Sequence, residues 1–150
     1  MYCSRCGLCC EETEMLLSNA DIRRLERMGH KRQKFVLYDS HGFARLRNRH
    51  GFCVFYSISE HRCKIYENRP EGCRIYPIAY SEQEGIVVDH LCPMRDTVSS
   101  MELRRKGEKV MVLLHTIDSE TASRCEALSE SVCRRRLRGQ AGLQEKGRGA

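Results

Sequence analysis

The chain opens on Cys3-Ser-Arg-Cys6-Gly-Leu-Cys9-Cys10. A C-x2-C spacing lets a tight turn bring two thiolates to one metal ion while nearby backbone N–H groups hydrogen-bond the sulfurs, and Gly7 supplies the freedom such a turn needs. A third cysteine extends this to C-x2-C-x2-C, a run also used by iron–sulfur proteins. Side chains of adjacent residues usually diverge, so Cys9 and Cys10 are expected to face different ways. That implies two metal centres sharing the segment, or one centre and a spare thiol. Cys53, Cys63, Cys73 and Cys92 follow at wider intervals. The total of eight is twice the four ligands of a closed zinc or iron–sulfur site, so two sites of four are the simplest solution, with one site left open as an alternative. The expected cofactor is zinc or iron, a [4Fe–4S] cluster included. The N-terminal segment is then ordered mainly by what its thiolates bind.

Competing uses of these residues are weaker. A disulfide framework would pair an even number of cysteines, but no apolar signal segment follows Met1 and cytosolic thiols are kept reduced. A bond between the neighbouring Cys9 and Cys10 would also be strained. Cys125 and Cys133 fall on or beside an apolar helical stripe and read as buried, inert thiols. His50, His61 and His90 precede cysteines by two or three residues and read as polar surface residues, as do His30, His41 and His115. None sits in an H-x3-H or H-E-x-x-H context. There is no G-x-G-x-x-G after a strand, no Ser-His-Asp arrangement and no convincing carboxylate pair, so no catalytic residue is assigned and enzymatic activity is left open.

The elements that must hold these thiols are short. Ser18 to Met28 reads as a helix, with Ser18 and Asp21 as a capping box, Ile22, Leu25 and Met28 at helical spacing, and Gly29 as its stop. Phe35 to Tyr56 reads as an antiparallel ribbon turning at Gly42 and Gly51. Pro70 opens one helical turn carrying Cys73, and Pro77 ends it. Ile86 to Val88 reads as a strand. Val98 to Leu137 reads as two helices broken near Asp118 to Glu120, with Val110, Leu114 and Ile117, then Cys125, Leu128 and Val132, on stripes. The expected fold is α+β: a small metal-stapled cysteine-rich domain with a short antiparallel ribbon, packing helices and a helical C-terminal part. Its expected organisation is a cysteine-cluster metal-binding domain over 1–95, a helical extension of the same domain over 96–138, and a disordered tail over 139–150.

Composition narrows the function class. The chain has 150 residues, 41% hydrophobic and 31% charged, which fits one domain plus a tail. The longest apolar run, Val110 to Leu114, is far short of the roughly 18 residues that span a bilayer, so a cytoplasmic protein with no membrane partner is expected. The formal net charge is +6, but residues 134–150 carry +5 of it, through Arg134, Arg135, Arg136 and Arg138 above all. A basic helix end is more often a solvated terminus than a phosphate-binding face. Eight thiolates on two divalent ions would bring the charge from +6 to +2. The distribution thus argues against a nucleic-acid partner and for metal ions, with a protein partner unidentified.

Several separated motifs agree in order and spacing with one family. The C-x2-C-G-x-C-C start, Gly51-Phe-Cys53-Val-Phe, Cys63-Lys-Ile-Tyr66-Glu-Asn-Arg69-Pro70-Glu-Gly-Cys73-Arg74-Ile-Tyr76-Pro77 and Cys92 resemble the YkgJ-like cysteine-cluster family over roughly residues 1–95. That family is described as a zinc- or iron-chelating domain. The resemblance implies metal ligation by Cys3, Cys6, Cys9, Cys10, Cys53, Cys63, Cys73 and Cys92. A related cysteine-rich region is similar to that of flagellin lysine N-methylases, which implies, as an alternative, a component of a protein-modifying enzyme. A zinc-stabilised nucleic-acid-binding module using the Arg134 to Arg138 run is a second alternative. The resemblance also draws attention to Tyr66 and Tyr76, expected to pack against the metal region, and to Arg69 and Arg74, which flank Cys73 and suit charge neutralisation.

Overall fold

The structure is a computed structural model and describes residues 3–127. The first regular element is α1 (Asn19–Arg27). Ser18 caps it: its Oγ accepts the Asp21 N–H at 3.1 Å and the Asp21 carboxylate accepts the Ser18 N–H at 3.2 Å, the expected capping box. Gly29, at φ +92°, closes the helix, its N–H donating to the Glu26 carbonyl while the His30 N–H reaches that of Leu25. Ile22 and Leu25 point inward with Leu17 and are fully buried, each such side chain contributing roughly 1.5–3 kcal/mol.

The antiparallel ribbon expected over Phe35 to Tyr56 is present as separate small hairpins, two of them turning at Gly42 and Gly51 as expected. Phe35 ends a one-turn helix, α2 (Arg32–Phe35), because its ring is buried against Phe55 rather than alternating along a strand. After it β1 (Val36–Tyr38) pairs with β2 (Ala44–Leu46), β3 (Asn48–Arg49) with β4 (Phe52–Cys53), and β5 (Tyr56–Ser57) with β6 (Arg62–Cys63), all antiparallel. Ala44 and Leu46 face the core, while the half-buried Arg45 between them pairs with Asp39 at 2.8 Å. Pro70 precedes α3 (Glu71–Ile75), and the Tyr76–Pro77 peptide that follows is cis. A fourth antiparallel pair, β7 (Ile78–Ser81) with β8 (Gly85–Val88), includes the expected strand.

The long helix is continuous. α4 (Ser100–Ala127) runs 28 residues without the break expected near Asp118 to Glu120. Ile117 and Thr121, one turn apart, are both buried. Glu120 accepts the Asn19 N–H at 2.7 Å, satisfying an orphan donor at the start of α1. Arg124 donates to Asn19 Oδ1 at 2.8 Å and to the Gly42 carbonyl at 3.1 Å. These contacts hold the polar stretch helical.

Two cores result. Leu17, Ile22, Leu25, Phe35, Val36, Ala44, Leu46, Cys53, Phe55 and Ile65 form one, against which Cys10, Cys63 and Cys73 pack. Ile75, Ile78 and Val110 centre the other. The five residues of α3 join them, with Cys73 against the first and Ile75 in the second. The architecture is α+β with a helical C-terminal part. No described helix is long and apolar enough to cross a membrane. The expected tail, Cys133 and Arg134 to Arg138 lie outside the described residues. Cys125 is half-buried and disulfide-bonded, so it is not the inert thiol expected.

Candidate metal centre

Each thiol is delivered by a short, locally determined element. Gly7, at φ +83°, turns the chain into a 3-10 turn, Leu8–Cys10, whose Cys10 and Glu11 N–H groups donate to the Gly7 carbonyl at 2.9 and 3.0 Å. Glu11 bridges Phe52, and the Glu12 N–H donates to the Gly51 carbonyl at 2.7 Å. That pins the N-terminal cysteine run to the hairpin ending at Cys53. Cys63 ends β6, opposite Tyr56. Cys73 sits in the middle of α3. Beyond β8 the Asp89 N–H donates to the Pro77 carbonyl at 2.7 Å, and a turn from Asp89 carries Cys92. Cys92 is thereby returned beside the end of the helix that holds Cys73.

All eight cysteines line one cavity of about 110 Å³. Roughly 10–15 Å³ holds one water, so a larger group fits. The walls between the thiols include Leu46, Phe55, Ile65 and Pro70, and the cations Arg69, Arg74 and Lys106 also line the cavity. Five of the cysteines, Cys3, Cys6, Cys9, Cys10 and Cys63, also line an adjoining cavity of about 520 Å³, with Arg5, Arg62 and Lys64. The cysteine layer therefore stands between a largely apolar interior and a wider chamber. None of the six histidines lines either cavity. Among the described residues no three His, Cys, Asp or Glu side chains stand together at metal-holding spacing, so the sulfurs share a cavity without converging on a single point.

The thiols are electrostatically one system. Burial pushes Cys53 up to about 11 and raises Cys63, Cys73 and Cys92, and neighbouring thiols add to each rise. The expectation that Cys9 and Cys10 diverge is overturned. Their side chains hydrogen-bond each other, which lowers Cys9 to about 7 and raises Cys10. A 3-10 turn, with three residues per revolution, does not send adjacent side chains to opposite faces as a strand does. Soft sulfur donors in this number suit zinc or iron, and a bound cation reverses the mutual repulsion that keeps the buried thiols protonated. The donor set fits such a group.

The arginines divide their roles. Arg69 lies 3.9 Å over the Tyr66 ring, and its charge favours the thiolate forms of Cys9 and Cys63. Arg74 instead donates to the Arg69 and Glu67 carbonyls at 3.0 and 2.7 Å, bracing the loop before α3. Three further contributors carry no metal-site signal in the sequence. Lys106 reaches the cavity from α4, paired with Glu102 at 2.8 Å. Met15 packs where a β-carbon on Gly72 would sit. Asp21 accepts the Glu71 N–H at 3.0 Å and so ties α1 to the Cys73 helix. Only the capping spacing of Asp21 was visible beforehand.

Gly7 gives a direct test of the turn. A β-carbon there would meet Tyr56 Oη at 2.5 Å, at a φ that side chains rarely adopt. Gly7→Ala is expected to lose about 1–3 kcal/mol of stability and to speed alkylation of Cys9 and Cys10, measured by urea unfolding and thiol labelling. Unchanged labelling rates would contradict the turn's role.

Residues 2–93 match the model of a family described as "Putative zinc- or iron-chelating domain". No curated protein and no solved structure matches the chain. The matched span contains all eight cavity cysteines and covers more than half of the sequence, and the chain belongs to this CxxCxxCC family, consistent with its YkgJ-like motifs.

Proposed function

We propose that this protein is a metal-binding cysteine-cluster protein that holds zinc or iron through Cys3, Cys6, Cys9, Cys10, Cys53, Cys63, Cys73 and Cys92 as thiolates, stapling the hairpins to the helices. The observation that carries the reading is that all eight line one cavity although they come from five separate stretches of chain. Eight thiols are twice the four ligands of a closed site, so two closed sites of four are the simplest arrangement, with a single site as the alternative. Saturated sulfur coordination leaves no position for Lewis-acid hydrolysis, which needs an open one. Such centres serve structure, metal handling or, as an iron–sulfur cluster, electron transfer. The metal region over 1–95 and a cytoplasmic location belong to the same proposal.

Anaerobic purification followed by metal analysis, visible spectroscopy and thiol titration tests it. About two zinc ions per chain and a colourless protein, or iron with inorganic sulfide and visible charge-transfer absorption, is the expected result. Cys92→Ser and Cys73→Ser should each lower the metal content per chain. Protein carrying neither metal, with eight freely titrating thiols, would overturn the reading.

A further inference from the structure

The wider chamber beyond the cysteine layer is basic. Its 520 Å³ lies in the range of small-molecule pockets, about 300–1,000 Å³. Arg5, Arg62 and Lys64 line it against a single carboxylate, that of Glu67, and all four residues are exposed. Arg62 is engaged by Glu60 at 2.9 Å, whereas among the described residues neither Arg5 nor Lys64 has a carboxylate partner. Backbone contacts fix both: the Arg5 N–H donates to Cys3 Sγ at 3.4 Å, and the Lys64 N–H to the Phe55 carbonyl at 2.8 Å. Arg5 has φ +61°, a left-handed conformation that glycine or asparagine takes more easily. The turn between Cys3 and Cys6 therefore does not call for arginine, and what arginine adds there is a cation in the chamber wall.

These cations stand on the side from which the thiols are reached. Cys3 and Cys6, the two exposed thiols among the eight, line the chamber as well as the inner cavity. A bare divalent ion approaching them meets like charge, whereas an anion is drawn in. We propose that the chamber is the metal's entry site and that it receives zinc or iron as an anionic chelate of a small oxygen-donor molecule, a polycarboxylate or polyphosphate, whose free oxygens pair with Arg5 and Lys64. The proposal rests on the metal-centre reading above. Handover is a ligand exchange. Metal–oxygen bonds of the carrier break as metal–sulfur bonds form at Cys3 and Cys6, the thiol protons pass to the freed carrier oxygens or to water, and no electron changes hands.

The test uses the full chain, stripped of metal under reducing anaerobic conditions and mixed in stopped flow with cobalt(II), either as its citrate chelate in excess citrate or as the aqua ion. Sulfur-to-cobalt charge-transfer absorption reports arrival on the thiols. In the parent, rising potassium chloride should slow uptake from the citrate chelate and leave uptake of the aqua ion unslowed, because screening weakens an attraction in the first case and a repulsion in the second. Arg5→Asn combined with Lys64→Gln keeps a residue suited to the left-handed turn. It should take cobalt from citrate about tenfold more slowly than the parent, the lower end of what focused charge adds to an association rate, and take the aqua ion at least as fast. Tripolyphosphate in place of citrate identifies the carrier class, since the chelate whose uptake the double variant slows more is the one the chamber fits. Equal slowing of chelate and aqua ion in the variant, or slowing with neither chelate, overturns the proposal. Salt that slows the aqua ion as much as the chelates in the parent overturns it too, and this arm does not depend on the folding of the variant. Parent protein that develops no charge-transfer band with any cobalt source marks the failure of the metal-centre reading instead.

Discussion

Asp21→Ala is expected to lower the unfolding free energy by about 3 kcal/mol, at the lower end of the range for breaking a buried ion pair, and to weaken metal retention with it. Asp21 is 1% exposed and is the most connected polar side chain in the first core. Its Oδ1 accepts from Arg24 at 2.7 Å and from the Glu71 N–H at 3.0 Å, while its Oδ2 accepts from Ser18 Oγ at 2.8 Å and the Ser18 N–H at 3.2 Å. Alanine leaves the Glu71 and Ser18 N–H groups without acceptors in a dry environment, at about 1–3 kcal/mol each when fully buried. The Arg24 side chain, 29% exposed, regains water and moderates the loss. Asp21→Asn keeps one carbonyl acceptor and should lose less than half as much. The Glu71 N–H opens α3, so the loss reaches Cys73 two residues later. Urea unfolding gives the stability, and chelator competition on the metal-loaded variant gives the second effect. An Asp21→Ala protein within about 0.5 kcal/mol of its parent, the range of ordinary surface substitutions, would remove this residue as the strut between helix and cavity.

What could be read in advance divides along the line between local and tertiary causes. The capping box of α1, its Gly29 stop, the single turn between Pro70 and Pro77, and the strand ending at Val88 each depend on residues within one turn or hairpin. The break expected near Asp118 to Glu120 followed the same local logic and failed, because Glu120 and Arg124 find partners at Asn19 and Gly42 far away in sequence. Phe35 alternates with Leu37 as a strand residue would, yet its burial against Phe55 closes a helical turn instead. At the site, cysteine spacing identified all the thiols that line the cavity, since metal-type donors are recognisable by identity alone. Cys9 and Cys10 were placed wrongly relative to each other because their 3-10 turn is set by the left-handed Gly7 and by hydrogen bonds to its carbonyl. Lys106 was invisible because nothing around it in the chain indicates that α4 passes the cavity.

Metal-loaded and metal-stripped protein are expected to differ most in their response to pH. Without metal, the Cys9–Cys10 pair gives up its first proton at about 7 in the folded state, below the ordinary thiol value of 9.0. A depressed group contributes stability that is present above the unfolded value and lost as pH falls through the folded one, so this contribution grows from pH 7 to 9. Cys53 has the opposite sign. Its folded value, about 11 through burial, exceeds the unfolded value, so its contribution is full below 9 and lost as pH rises through 11. That loss is about 2–3 kcal/mol for a shift of two units, and Cys63, Cys73 and Cys92, raised in the same direction, add to it. The stripped protein should therefore be most stable near pH 9 and decline above it. In the loaded protein no ligand thiol carries a proton, whereas the unfolded chain must lose each of them before it can rebind metal. Stability at fixed free metal then climbs by up to about 1.4 kcal/mol per thiol per pH unit, and levels off once the unfolded thiols are ionised, above pH 9. Chelation at pH 7 removes a contribution of about 10–16 kcal/mol by analogy with small structural zinc domains, comparable to the whole stability of an ordinary domain. Thermal melts from pH 6 to 11, with metal at fixed free concentration and with chelator under reductant, measure both curves. Parallel curves above pH 9 would mean that the buried thiols keep their protons in both forms, and thiolate ligation would fall.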